Sequence, residues 1–418
     1  MKVRFKSTLA TLLAFLFASS VFAQINAPLQ YARTTGQDGI NQFEAPKRNN
    51  IAFEGMRLNV GGDFAIQFQG LSQSNTAGDL IELSNNMNLP TANLNLDIQL
   101  QDGLRMHLRT YLSSRHHVEA WVKGGYLQMD NLDFIADGFL AEVMEYTRFR
   151  FGMDEVNYGD AHFRRSDNAQ AIYNPFVENY LMDSFTTEPF AEVSVQANGL
   201  LAVAGLTNGR LNQSPTPGDD GYAVYGKLGV DRQVNDDLRL RLTGSIYRSS
   251  SESTRDYLYG GDRAGARYYG IMESANDTRV SDFLPRFNPG FPHLTALQLN
   301  PFVRYQGFEF FGIIERAASG DDATGGAYTQ FGGELLYRFG PTENLYVGGR
   351  YNVVSGNATD DAATQEVTRV NIGGGWFMTN NVLTKLEYVT SSYDGDGFTG
   401  KFVGAEYDGL MIEAVVSF

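Results

Sequence analysis

The chain ends with "LMIEAVVSF" at residues 410–418, and this short stretch decides the fold. Every second side chain in it is apolar: Leu410, Ile412, Ala414, Val416 and Phe418. A repeat of two residues is typical of a β-strand that turns one face toward an apolar environment. Because ordering a chain end costs about 1–2 kcal/mol of backbone entropy per residue, we expect this terminus to be built into a sheet that needs it.

The opposite end of the sequence predicts export. Three cationic side chains near the start precede an apolar run at residues 9–18, and Ala23 follows at the position that a signal peptidase would cleave. The run is shorter than the roughly 20 residues that a membrane-spanning helix requires. We therefore interpret residues 1–23 as a secretory signal peptide.

The composition narrows the class of protein further. The chain of 418 residues contains no cysteine, which excludes disulfides, thiolate metal sites and a lipoprotein anchor. Without the predicted signal peptide, 30 Lys and Arg stand against 48 Asp and Glu, a formal charge of −18. This acidity argues against a nucleic-acid partner, because phosphates require a basic surface.

Alternating apolar and polar side chains, bounded by turn residues, predict sixteen β-strands between Leu58 and Phe418. Asp102-Gly103 and Asn198-Gly199 each separate two such segments and are typical of two-residue hairpin turns. The predicted connections alternate between tight turns and longer polar loops, with exceptions at 114–118 and 130–145.

This alternation favours a transmembrane up-and-down antiparallel β-barrel, all-β, with short periplasmic turns and long extracellular loops. The last strand would pair with the first, because an open sheet edge cannot persist in lipid. A soluble sandwich with one solvated face would explain the alternation of side chains but not the placement of the long loops.

Arginines alternate with apolar residues on strands three, five and nine. A charge on the lipid face of a barrel costs about 2–4 kcal/mol at the bilayer midplane, so these side chains are expected in the lumen. The predicted pore-lining residues are Arg105, Arg109, Arg148, Arg150, Arg239 and Arg241. An alternative stays open for each arginine. In this alternative the arginine pairs with a lumen carboxylate and forms part of the wall, with no role in selectivity.

The signal peptide, the alternating strands, the acidic loops and the terminal Phe418 together resemble bacterial outer-membrane porins of the sixteen-stranded general or phosphate-selective kind. The resemblance implies that Phe418 belongs to the signal read by the barrel assembly machinery. It implies that the loop after strand five, here 154–188, folds into the pore as a constriction. The constriction residues would be Asp154, Glu155, Asp160, His162, Arg164, Arg165 and Asp167.

The expected function is a water-filled channel in the outer membrane of a Gram-negative bacterium, through which small hydrophilic solutes or ions diffuse. The resemblance further implies contact with outer-membrane lipid and a homotrimer. The alternative is a non-conducting barrel that acts as a scaffold, an adhesin or a partner-binding subunit. Residues 24–52 would be a polar stretch, either periplasmic or a plug, and 53–418 would form the barrel.

No catalytic constellation, metal site or cofactor is expected. His116 and His117 are adjacent on extended chain and therefore point in opposite directions. His162, Ser166 and Asp167 are close in sequence, but a hydrolase triad requires hydrogen-bond reach between nucleophile and base. We therefore predict that the protein is not an enzyme.

Overall fold

The structure is a computed structural model that describes residues 28–112, 120–210, 220–254, 256–260, 266–277, 284–321, 323 and 325–418. The predicted signal peptide at 1–23 and the pair His116 and His117 lie outside the described residues.

Sixteen strands form one closed antiparallel barrel in which each strand pairs with its neighbours in sequence. The predicted fold class and strand number are confirmed. The strands are β1 (Arg57–Ser74), β2 (Asn86–Gln101), β3 (Leu104–Leu112), β4 (Ala120–Met129), β5 (Thr147–Glu155), β6 (Thr187–Ala197), β7 (Leu200–Thr207), β8 (Ala223–Gln233), β9 (Leu238–Ser249), β10 (Leu294–Tyr305), β11 (Phe308–Ser319), β12 (Ala327–Phe339), β13 (Leu345–Asn357), β14 (Gln365–Thr379), β15 (Val382–Asp394) and β16 (Glu406–Ser417).

The barrel closes between β1 and β16, as the patterned terminus predicts. Asp63 lies opposite Ser417 in this pairing. The backbone N–H of Phe418 donates to the carbonyl of Gly62 at 3.0 Å, and the N–H of Gly62 donates to the carbonyl of Phe418 at 3.0 Å. The last residue of the chain is therefore hydrogen-bonded into the sheet.

The predicted alternation of connections is also found. Short turns join β2 to β3, β6 to β7 and the later even-numbered strands to their successors, and this end of the barrel is called the turn side below. The connection between β4 and β5 is the long exception on the turn side and contains a short helix, α1 (Ala141–Met144). The other end carries the longer loops. Among the described residues, no helix is long and apolar enough to cross a membrane.

Two strand ends differ from the expected positions. We expected the loop after β1 to run to residue 92 and β2 to begin at Asn93, but the strand begins at Asn86 and includes Pro90, which cannot donate to a ladder. The register against β1 shifts between Ala65 and Gln67, and this bulge accommodates the proline. We also expected the loop after β5 to begin at Asp154, but the ladder continues until Glu155 pairs with Thr187.

Side chains alternate between the two faces of the wall. On β9, Leu240, Leu242 and Ile246 are exposed outward, whereas Arg241 and Thr243 are buried inside. The same alternation runs round the barrel, so the outer face is apolar and the interior is polar. The interior is occupied by two loops and by the N-terminal segment, whose contacts are described next.

Candidate functional site

The loop between β5 and β6, residues 156–186, lies inside the barrel and is called the partition. Its Asp160 is completely buried and is held by β8 and β9. Arg241 Nε donates to Asp160 at 2.8 Å, Lys227 Nζ lies 3.0 Å from the same carboxylate, and the Thr243 hydroxyl donates to it at 2.7 Å. Burial opposes ionisation of Asp160, but these two cations outweigh it and hold the pKa of the carboxyl below its ordinary value.

The opposite side of the partition is fixed to the later strands. Arg164 Nη2 lies 2.6 Å from Glu309 of β11 and 2.5 Å from Glu334 of β12. Arg350 of β13 pairs with the same Glu334 at 2.8 Å and donates to the Glu178 carbonyl of the partition at 2.7 Å. These buried ion pairs hold the middle of the partition against the wall.

The remaining contacts complete the span. Asp167 pairs with Lys123 of β4 at 2.6 Å, and both side chains are fully buried. Lys385 of β15 donates to the Ala171 carbonyl at 2.8 Å, and the Val177 N–H donates to Glu387 of the same strand at 2.8 Å. With its contacts to β2, β10 and β14, the partition crosses the lumen from wall to wall.

A second loop, the described residues between β9 and β10, covers the partition on the long-loop side and is called the cover. Tyr268 is fully buried and donates to Glu387 at 2.6 Å. The Arg267 N–H donates to Glu178 of the partition at 2.8 Å, and the Phe287 N–H donates to the carbonyl of Leu181 at 2.8 Å. The cover and the partition therefore form two stacked layers.

The N-terminal segment that precedes β1, residues 28–56, lies across the turn side of the lumen and is called the lead. Phe43 is 2% exposed and packs edge-on against Phe163 of the partition and Phe302 of β10. Glu44 lies 2.8 Å from Arg241 and 3.3 Å from Lys227, the two cations that also hold the partition. The lead thus reaches the same charge cluster from the other side.

Between the lead, the partition and the wall of β1 to β6 lies a cavity of about 730 Å³. Four of the six predicted pore-lining arginines line it: Arg105, Arg109, Arg148 and Arg150. Three of the seven predicted constriction residues line it as well, namely Asp154, Glu155 and His162. Cations and carboxylates thus lie beside each other on the wall of the cavity.

The four arginines are not equivalent. Arg105 lies 2.6 Å from Asp97, and Arg109 lies 2.8 Å from Asp154. Arg150 is paired more loosely, since Glu192 is 3.4 Å away and Asp154 is 3.9 Å away. Its guanidinium stacks over the ring of Tyr126 at 4.2 Å, and 16% of its side chain is exposed.

Arg148 contacts the lead instead. Its Nε donates to Asp130 at 2.9 Å, and its two terminal nitrogens donate to the carbonyls of Ala45 at 2.9 Å and Pro46 at 3.1 Å. Lys47 of the lead pairs with the same Asp130 at 3.1 Å. Arg148 is therefore hydrogen-bonded both to Asp130 of the barrel and to two carbonyls of the lead.

The other predicted residues lie away from the cavity. Arg239 pairs with Asp231 at 2.7 Å on the turn side of β8 and β9, and Arg165 pairs with Asp183 at 2.6 Å within the partition. Asp160, Arg164, Asp167 and Arg241 belong to the buried ion pairs described above. Sequence alternation for the arginines of β9, and the resemblance to porins for the loop after β5, placed these side chains inside the barrel. Neither could tell an open part of the lumen from a filled one.

The three residues that are close in sequence do not assemble into a triad. His162 faces Glu155 at 3.4 Å and Asn157 at 3.2 Å, whereas the Ser166 hydroxyl donates to the Val177 carbonyl at 2.9 Å. Asp167 is occupied by Lys123. Burial outweighs the neighbouring Glu155 carboxylate and lowers the pKa of His162 below its ordinary value. In the part of the chain that the structure describes, no group of three or more histidine and acidic side chains is arranged to hold a metal ion.

Solved structures with the same architecture come from outer membranes. No protein-family model matches the sequence, and a search of curated proteins finds no match. An anion-selective porin from Comamonas acidovorans superposes with a TM-score of 0.55 at 9% identity, covering 87% of this chain and all of that one. The outer membrane channel DcaP of Acinetobacter baumannii gives 0.52 at 11% identity, over 88% and 99% of the two chains. The chain has the fold of the outer-membrane porins.

A trimer form of OmpT, an outer membrane protein of Vibrio cholerae, shares this porin fold with a TM-score of 0.51 at 11% identity, over 87% of this chain and 100% of that one. Identities this low establish the shared barrel and no more.

Within this porin fold, the cover was missed by the sequence reasoning. The connection at 249–295 was predicted only as a long polar loop. Its stretch "RYYGIM" at 267–272 carries aromatic and apolar side chains, and Tyr268, Ile271 and Met272 are buried. Such a cluster in an otherwise polar loop is a signal that the loop packs against protein, because large apolar groups are rarely left in water.

Proposed function

We propose that the protein is an outer-membrane porin through which small hydrophilic solutes or ions diffuse passively. The observation that carries the proposal is the charged cavity of about 730 Å³ inside a closed sixteen-stranded barrel. A barrel of about sixteen strands is wide enough for an aqueous channel, whereas about eight strands leave only a filled interior. The shared fold with an anion-selective porin and with an outer membrane channel supports the same reading.

Selectivity is proposed to arise at the cavity wall. Arg105, Arg109 and Arg150 line the wall, and Asp154 and Glu155 at the end of β5 add carboxylates beside them. Opposed charges at close range favour polar and charged solutes over apolar ones, because the field in a narrow lumen acts directly on the solute. An apolar solute would find few favourable contacts along this wall.

Planar-bilayer recording of the purified, folded barrel tests the proposal. We expect discrete conductance steps in KCl and swelling of liposomes that contain the barrel and are diluted into small sugars. A folded barrel that gives neither signal, with or without the lead, would contradict the porin function.

One observation favours a second candidate, a non-conducting barrel that serves as a scaffold, an adhesin or a partner-binding subunit. The partition is bonded to strands on opposite sides of the lumen, and the cover and the lead lie against it from the two ends of the barrel. In that case the recording would stay silent, while the folded barrel would bind a partner through its long loops.

The proposed partners follow from the fold and the termini. The apolar outer face would contact outer-membrane lipid, and Phe418 would be read by the barrel assembly machinery. Phe418 stands 51% exposed at the seam between β1 and β16, where a recognition factor could reach it. A homotrimer is proposed because the resemblance to porins implies it and one structural neighbour is a trimer form. No nucleic-acid partner is expected.

A further inference from the structure

We propose that the lead is a releasable plug that closes the turn side of the cavity, and that solutes pass only while it is undocked. This regulation rests on the proposed porin function. The lead makes no strand in the barrel, and it contacts the barrel through side chains and isolated backbone hydrogen bonds and not through a ladder. It is therefore a separate piece that occupies the mouth of the barrel without belonging to the wall.

The contacts of the lead run round the whole mouth. Gln30 donates to Asp102 in the turn between β2 and β3 at 2.7 Å. The N–H of Gln37 donates to the Asn380 carbonyl between β14 and β15 at 2.7 Å, and its side chain donates to the Thr342 carbonyl at 2.8 Å. The lead thus crosses from one side of the mouth to the other.

Further along the chain, the lead contacts the remaining parts of the mouth. Asn41 donates to Glu309 of β11 at 2.7 Å, and Lys47 pairs with Asp130 at the end of β4. Gln30 then donates to the carbonyl of Ile51, further along the lead, at 2.8 Å. Since the segment touches turns and strands all round the ring, a solute leaving the cavity on this side meets the lead first.

The barrel is built so that the lead can leave. Each cation that holds the lead also has a carboxylate partner within the barrel. Arg241 and Lys227 keep Asp160 when Glu44 departs, and Arg148 keeps Asp130. Removing one partner of a buried ion pair costs about 3–5 kcal/mol when the remaining charge is left unpaired. Here no such unpaired charge is created at these three cations.

The acidic partners are duplicated in the same way. Glu309 retains Arg164 at 2.6 Å and Arg338 at 2.9 Å when Asn41 departs. Asp130 retains Arg148 when Lys47 departs. A permanently fixed segment would have no need for this duplication. The second ion-pair partner at each of these contacts is the observation that distinguishes a releasable plug from a permanently fixed segment.

A disulfide tether tests the proposal in the full chain, which contains no cysteine of its own. The hydrogen bond between the Gln37 N–H and the Asn380 carbonyl brings the two backbones to the separation that a disulfide spans, roughly 4.4–6.8 Å between Cα atoms. In the variant Gln37→Cys with Asn380→Cys, oxidation should lower the mean conductance about tenfold or more, because the tether raises the effective concentration of the docked lead. Reduction should restore the conductance of the unmodified protein.

The two single variants, Gln37→Cys and Asn380→Cys, are the matched controls and should not respond to oxidant. Deletion of residues 28–52 should raise the conductance above that of the full chain. Equal conductance in the oxidised and reduced double variant would overturn the plug and leave the porin function standing.

If no form conducts although the barrel is folded, the porin function fails and a labelling experiment decides the plug separately. Ser194 lines the cavity and is buried, so Ser194→Cys reports access to it. A hydrophilic maleimide should label this cysteine about tenfold faster after deletion of the lead. An unchanged labelling rate would overturn the plug as well.

Discussion

At the scale of single residues, Arg150 is the side chain expected to influence ion preference most. It lines the cavity, its nearest carboxylate is 3.4 Å away, and part of it is exposed. Replacement of Arg150 by alanine should raise the cation-to-anion permeability ratio, by up to about fivefold, since a unit charge at 4 Å in a water-like dielectric contributes about 1 kcal/mol. The measurement is the reversal potential in a KCl gradient.

Arg232→Ala is the matched control, because Arg232 carries the same charge on the exposed outer face of β8. It should leave the reversal potential unchanged. The sequence placed both Arg148 and Arg150 among the predicted pore-lining residues, but Arg148 holds the lead. Arg148→Ala should therefore change how often the channel opens and not which ions it prefers. A selectivity change equal to that of Arg150→Ala would contradict this division.

Glu44 makes the docking of the lead depend on pH. It faces Arg241 of β9, Lys227 of β8 and Asp160 of the partition, and Asp231 also pairs with Arg241. Burial opposes ionisation of Glu44, but Arg241 and Lys227 outweigh it and lower its pKa from the ordinary value of 4.5. A carboxyl whose pKa falls on docking stabilises the docked state above its free pKa, and this stabilisation is lost as the pH falls through the docked pKa.

Conductance should therefore stay constant from about pH 8 to about pH 5 and rise as the pH falls below the ordinary range of a glutamate pKa, because protonation of Glu44 weakens docking. Recording over this range checks the prediction. Glu44→Gln should raise the conductance at pH 7 and remove most of the acid response. A transition centred near pH 6.5 would instead implicate a histidine.

At the scale of elements, the partition depends on Asp160. Asp160→Asn removes the buried carboxylate shared by Arg241 and Lys227, leaving the two cations with Glu44 as their nearest carboxylate. An unpaired buried charge would cost about 3–5 kcal/mol, but Arg241 and Lys227 keep Glu44, so the free energy of unfolding should fall by a smaller amount, about 1–3 kcal/mol. Urea unfolding of the detergent-solubilised barrel measures it.

Asp236→Asn is the control for this experiment, because Asp236 lies exposed in the turn between β8 and β9. Its replacement should change the unfolding free energy by less than about 0.5 kcal/mol. Equal effects at the two positions would show that the Asp160 ion pairs add little to the stability of the partition.

The strands and loops also show which parts of the fold could be predicted from the sequence. The period-two repeat predicted sixteen strands because every strand must present apolar groups to lipid and polar groups to the lumen. The start of β2 was predicted too late, at Asn93, because Asn86 to Asn88 pair with β1 beyond a bulge that the sequence pattern does not reveal. The cover escaped prediction, and the position of the lead was left open between the periplasm and a plug, because both depend on contacts between residues far apart in sequence, such as Tyr268 with Glu387 and Asn41 with Glu309.

At the scale of the whole molecule, closure of the barrel depends on its last residue. Phe418 exchanges two backbone hydrogen bonds with Gly62, and its ring lies against that glycine. Deletion of Phe418 should lower the amount of folded barrel in the outer membrane severalfold, whereas Phe418→Tyr should retain it. Phe339→Ala is the control, because Phe339 is a similarly exposed aromatic residue at the turn-side end of β12.

The measurement is the folded fraction recovered from outer membranes. An equal loss for Phe339→Ala and for deletion of Phe418 would indicate a general need for aromatic residues at the turn side. It would not indicate a terminal signal.

The partition also has a consequence for the time course of assembly. It follows β5 in the chain, yet Val177 and Ala171 are hydrogen-bonded to β15, across separations of 210 and 214 residues. Contacts between residues so distant along the chain form slowly, because the intervening segment must first be closed into a loop. The contacts of the partition with β15 therefore cannot form until the last strands have joined the sheet. We expect a long-lived intermediate in which the charged side chains of the partition are still in water and the seam between β1 and β16 is open.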